Sequence, residues 1–85
     1  MMRYALITIT SDRDNPAAYL PADYRELYRE PSRERDGWTS VVIGGRDNAG
    51  WTLDGYVLPR LASGMIYGRE IDLSHEIMGR VPDNA

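Results

Sequence analysis

A single imidazole stands in this 85-residue chain, His75, with Asp72 three residues before it and Glu76 beside it. A histidine next to a carboxylate is suited to moving protons near neutral pH. Such a pair also needs a pocket and a substrate-facing geometry, which spacing alone does not supply. The simpler reading places His75 in the first turn of a short helix. Ser11, Ser32, Ser40, Ser63 and Ser74 lack the strand–turn–helix setting that exposes a nucleophile, and Ser63-Gly64 reads as a helix stop.

The segment Gly44 to Gly50 (GGRDNAG) is a second candidate, since a Gly-rich loop ahead of a helix can hold a phosphate on backbone amides. Gly44, Gly45 and Gly50 fit neither GxGxxG nor a GK[ST] loop, and Asp47 and Asp54 would repel an anion there. A tight turn with left-handed glycines is therefore expected. Asp12, Asp14 and Asn15 begin like a calcium loop, but its spacing and terminal Glu are missing, as they are from Asp47 onward. Cys is absent, which excludes thiolate zinc sites and disulfides. No metal or other cofactor is expected.

What remains is a set of side chains of the kinds concentrated at protein–protein hot spots: Trp38, Arg46, Trp51, Tyr56 and Arg60. Tyr56 and Arg60 are four apart and share one face if the segment is helical. Trp51 precedes that segment and is expected to fold back as a staple near Val57. Trp38 stands at a strand entry, and Tyr19 and Tyr24 flank Pro21 where they would extend the aromatic surface.

Composition narrows the classes of partner. All ten basic residues are Arg, set against thirteen acids, for a net charge of −3 and a pI of about 5.0. No basic footprint for nucleic acid is visible, and the acids are too interspersed with Arg to mimic one. The absence of Lys, Gln and Phe is what a GC-rich coding sequence gives, as in an actinobacterium or its phage. The first ten residues are too short and too broken by Thr8 and Thr10 to form a signal peptide, and no apolar run is long enough to span a membrane. A cytoplasmic protein without a membrane or nucleic-acid partner is expected.

The elements that must position these residues are those of one small domain over residues 1–85. Arg3 to Thr10 carries apolar groups on both faces and predicts a central strand. Tyr24 to Glu30, with Tyr24, Glu26 and Tyr28 on one side, predicts an exposed strand. Pro31 to Gly37 is a charged hairpin loop. Trp38 to Ile43 is a second firm strand.

Trp51 to Leu58 admits an Asp54-Gly55 hairpin. Thr52 as an entry residue and the spacing of Leu53, Val57 and Leu61 favour a helix over about 52–63. Gly55 weakens that helix by about 1 kcal/mol, so Gly55→Ala should stabilise it. Pro59 should free the carbonyl of Gly55 and kink the helix. Met65 to Leu73 alternates as a further strand, and Ser74 caps a short helix over His75 to Gly79.

The expected fold is α+β: a three- or four-stranded, mostly antiparallel sheet with one main helix and a short C-terminal one. The expected function is a small accessory or phage-encoded module, without catalytic activity, that docks on a host protein or on itself. A thin core without Phe favours homodimerisation. The alternative is a small enzyme or ligand binder using His75, Asp72, Glu76 and the Gly44 to Gly50 loop.

Overall fold

β1 (Met2–Ile9) has apolar side chains on both faces because it lies inside the sheet, antiparallel to β3 (Thr39–Arg46) on one side and to β4 (Tyr67–Ile71) on the other. β2 (Tyr24–Pro31) pairs with the far side of β3, giving the order β2-β3-β1-β4. The computed structural model describes residues 2–10 and 15–72. The expected short helix over His75 to Gly79, with His75 and Glu76 themselves, lies outside the described residues, as do Asp12 and Asp14.

One face of the sheet is closed by the helix of residues 53–63. Ala5, Ile7 and Ile9 from β1, Val41 and Ile43 from β3, and Leu53, Val57 and Leu61 from the helix form one core cluster with Ile66 and Tyr24. Leu53, Val57 and Leu61 recur every fourth residue, so they make one stripe. All three are fully buried, and burial of each contributes about 2 kcal/mol. The hairpin alternative for Trp51 to Leu58 is thereby set aside.

Pro59 changes the winding of this helix. Leu53–Val57 forms a π turn, in which the N–H of Leu58 donates to the carbonyl of Leu53, and α1 proper is Leu58–Ser63. Pro59 then falls in the first turn of α1, where its missing N–H leaves no gap. Thr52 caps the entry, accepting from the N–H of Gly55 at 3.2 Å.

Two expectations are corrected in the sheet. Gly44 and Gly45 belong to β3 rather than to a loop, and neither is left-handed. They are glycines because of close approach: a Cβ on Gly44 would sit 2.8 Å from Leu27 and 2.9 Å from Tyr4, and one on Gly45 would sit 2.2 Å from the carbonyl oxygen of Asp23. The second correction concerns β2. The pairs Glu26↔Ile43 and Tyr28↔Val42 leave Leu27 as the extra residue of a bulge. One inserted residue exchanges the faces beyond it. Tyr24 therefore joins the helix-side core, whereas Leu27 and Tyr28 pack on the opposite face with Tyr4, Leu6, Val42 and Ile71. Tyr24 is consequently a core residue rather than part of an exposed aromatic strip.

A 3₁₀ turn, Pro16–Tyr19, completes the helix side by bringing Tyr19 to the end of α1. No helix among the described residues is long and apolar enough to cross a membrane.

Candidate interaction surfaces

Three groups of side chains stand out, and they occupy different parts of the molecule. The first is ionic. Arg3 emerges near the start of β1 on the helix side, beside the start of the helix. It donates to both carboxylate oxygens of Glu70 at 2.8 Å, to Asp54 at 3.3 Å, and to Asp47. Asp47 also accepts from the hydroxyl of Tyr24 and, at 2.8 Å, from the N–H of Leu53. Three carboxylates gather here, but the guanidinium fills the space between them.

The Tyr24 hydroxyl, Arg3 and the Leu53 amide hold the Asp47 carboxyl below the usual range. Glu70 is lowered by its bonds to Arg3. Burial, then the bond to Asp47, pushes the Tyr24 phenol well up. These bonds join β1, β4 and the helix entry, and every group in them is engaged with a neighbour. The arrangement is a structural clamp. Next to it, Asn48 closes the turn after β3, accepting from the N–H groups of Gly50 and Trp51 at 2.8 and 3.0 Å. The Arg46-Asp47 pair is thus split: Asp47 belongs to the clamp, while Arg46 is exposed at the end of β3 and lines a hollow with Arg25 and Asp23.

The second group is aromatic. Trp51 meets Tyr56 edge-on, with ring centroids 4.6 Å apart, and the guanidinium of Arg60 lies 5.9 Å from the Tyr56 ring. Trp51 folds back on the helix as its position suggested, but its ring partner is Tyr56, while Val57 points into the core. The ladder Trp51–Tyr56–Arg60 runs along the helix with Tyr56 half-buried against the core and Trp51 and Arg60 exposed.

The third group is a groove of about 610 Å³ at the other end of the sheet. Its floor is Leu6, Thr8 and Thr10 of the open sheet face; one wall is the β2–β3 loop with Glu34, Arg35 and Trp38; the other is Met65, Tyr67 and Arg69. Arg69 reaches Glu34 at 3.2 Å, joining the walls. The guanidinium of Arg35 lies 4.1 Å from the centroid of the Trp38 ring. Comparison with protein-family models, curated proteins and solved structures gives no match.

Of the five residues singled out by type, three meet: Trp51, Tyr56 and Arg60. Trp38 and Arg46 flank opposite ends of β3, roughly 25 Å apart at the rise of an extended strand. Sequence reasoning missed Arg35, Met65 and Tyr67. By local pattern Arg35 belongs to a solvated loop and Met65 to an ordinary strand. In the structure Met65 is 78% exposed and Tyr67 63% exposed. Met65 also has a φ of 62°. Its amide donates to the carbonyl of Ala62 and that of Ile66 to Leu61, both at 2.9 Å, so Met65 holds the left-handed position of a Schellman helix end. Glycine is the residue that position favours.

Proposed function

We propose that this chain is a non-catalytic interaction module that docks a host protein, or a second copy of itself, through the groove between the β2–β3 loop and β4. The observation that carries the reading is the pair Met65 and Tyr67, large apolar side chains left in solvent on one wall while Trp38 and Leu6 face them from the other wall and the floor. Isolated exposed apolar residues need no explanation, but several around one concavity are the pattern of a binding surface. The Trp51–Tyr56–Arg60 ladder is less suited, because its rings already satisfy one another.

Light scattering coupled to chromatography tests self-docking, with Tyr67→Ala against Tyr56→Ala as the comparison. A wild-type dimer that Tyr67→Ala dissociates and Tyr56→Ala leaves intact, both variants keeping native circular dichroism, places the interface in the groove. A dimer lost only in Tyr56→Ala moves it to the helix. A monomer throughout leaves a heterologous partner as the remaining form of the proposal, for which peptide selection against the full chain is the direct assay.

A further inference from the structure

We infer that the groove receives a peptide segment of a partner protein bearing a bulky apolar side chain close to a carboxylate, with Met65 as the apolar contact and Arg35 as the charged one. This inference rests on the docking role proposed for the groove and adds the chemistry of its occupant.

Met65 is the first part of the argument. The fold gives no reason for methionine at this position. Its backbone is left-handed, which a β-carbon opposes, and its side chain is mostly in water and buries little within the chain. A glycine stands one residue earlier, at Gly64, but its φ is −94° and it does not use the freedom glycine offers. Backbone preference and side-chain hydration thus both work against Met65 in the isolated chain. A backbone outlier of this kind directs attention to a role in binding. A flexible, polarisable thioether at the mouth of an apolar groove suits contact with a side chain of loosely defined shape.

The polar side of the occupant follows from charge. Among the described residues, three charged ones line the groove: Glu34, Arg35 and Arg69. Glu34 and Arg69 pair with each other. Arg35 instead lies over the Trp38 ring, and among the described residues no carboxylate pairs with it. A cation–π contact over a ring does not use up a guanidinium's N–H donors, which stay available for a carboxylate. An Arg held over a Trp ring is also restricted beforehand, so less freedom is lost when the bond forms. The apolar wall and this cation lie on opposite sides of the same floor, formed by Leu6 and Thr8. One short segment can therefore satisfy both.

The test is selection of a random displayed-peptide library on the immobilised full chain, followed by calorimetric titration of the enriched peptides into wild type, Met65→Gly and Arg35→Gln. Enrichment of sequences with an aliphatic or aromatic residue within about two positions of Asp or Glu is expected. Met65→Gly is expected to raise the melting temperature while weakening binding about tenfold or more. A residue kept for packing would behave in the opposite way. Arg35→Gln is expected to weaken acidic peptides to the level of their Asn or Gln analogues. Enrichment of basic or purely polar peptides, or full-strength binding by Met65→Gly, overturns the inference. So does wild-type dimerisation that Tyr67→Ala abolishes without any peptide being enriched, although that result leaves the docking role standing. Neither dimerisation nor peptide enrichment removes both.

Discussion

The ring of Tyr19 lies across Gly64 so closely that a Cβ there would stand 2.4 Å from the ring. This contact joins the 3₁₀ turn to the end of α1, and it explains why the glycine of the helix stop is one residue ahead of the left-handed position. Gly64→Ala is expected to destabilise the fold by about 2 kcal/mol through displacement of Tyr19. Met65→Gly, at the neighbouring position, is expected to stabilise it by about 1 kcal/mol. Urea denaturation of both single variants checks the pair. Equal and small effects would mean that Tyr19 moves aside at little cost.

The glycines of β3 should form a graded series. At Gly45 a Cβ meets backbone, the Asp23 carbonyl oxygen at 2.2 Å and the Tyr24 Cα at 2.7 Å. At Gly44 it meets side-chain atoms of Leu27 and Tyr4. Backbone in a paired strand has less room to yield than a side chain. Gly45→Ala is expected to cost about 3 kcal/mol or to prevent folding, and Gly44→Ala about 1 kcal/mol. Denaturation midpoints in the reverse order would place the close approach on the open face instead.

Gly55→Ala, read from sequence as stabilising, is expected to give no gain. The added Cβ would sit 2.5 Å from Thr52 Oγ1, the atom that caps the Gly55 N–H. A gain of about 1 kcal/mol in helix propensity is offset by a cap of similar worth. In a Thr52→Ala background the cap is already gone, so Gly55→Ala should then stabilise by about 1 kcal/mol. A double-mutant cycle measured by thermal melting separates the two terms.

The clamp around Arg3 predicts loss of stability at both ends of the pH range. Asp47 and Glu70 have carboxyl groups lowered on folding, so their contribution is present above the unfolded carboxylate range, about pH 4, and is lost as pH falls through the folded values. Tyr24 is raised on folding, so its contribution is complete below about pH 10 and is lost as pH rises beyond it. Asp47→Asn should flatten the acid limb and Tyr24→Phe the alkaline one. Tyr24→Phe should also cost about 1 kcal/mol near neutrality for the lost hydrogen bond. Melting temperatures from pH 2 to 11 provide the check; an unchanged acid limb in Asp47→Asn would assign it to other carboxylates.

Local pattern was sufficient where the apolar period was unbroken. The two-sided apolar run of β1 indicates a central strand, and Leu53, Val57 and Leu61 indicate a helix against the Asp54-Gly55 turn signal. Alternation from Met65 to Leu73 indicates a strand, of which Tyr67–Ile71 form β4 while Met65 belongs to the helix end. Residue type also identified Trp51, Tyr56 and Arg60, because spacing along one helix determines which side chains meet. The groove was less legible. Trp38 was visible as an aromatic, but Arg35, Met65 and Tyr67 join it only through a hairpin loop folding toward a strand about thirty residues further along.

The sequence by itself determined the strand cores, the apolar faces of β1 and of the helix, and the Arg-rich, mildly acidic composition, since these depend on period and composition over short windows. Tertiary structure alone decided that Gly44 and Gly45 are strand residues selected by crowding, that the Leu27 bulge sends Tyr24 inward and Tyr28 to the opposite face, and that Arg3 fills the space among three carboxylates. It also decided that Met65 takes the left-handed turn beside an open groove. Each of these depends on which atoms from distant segments occupy the same space, a quantity that no local periodicity contains.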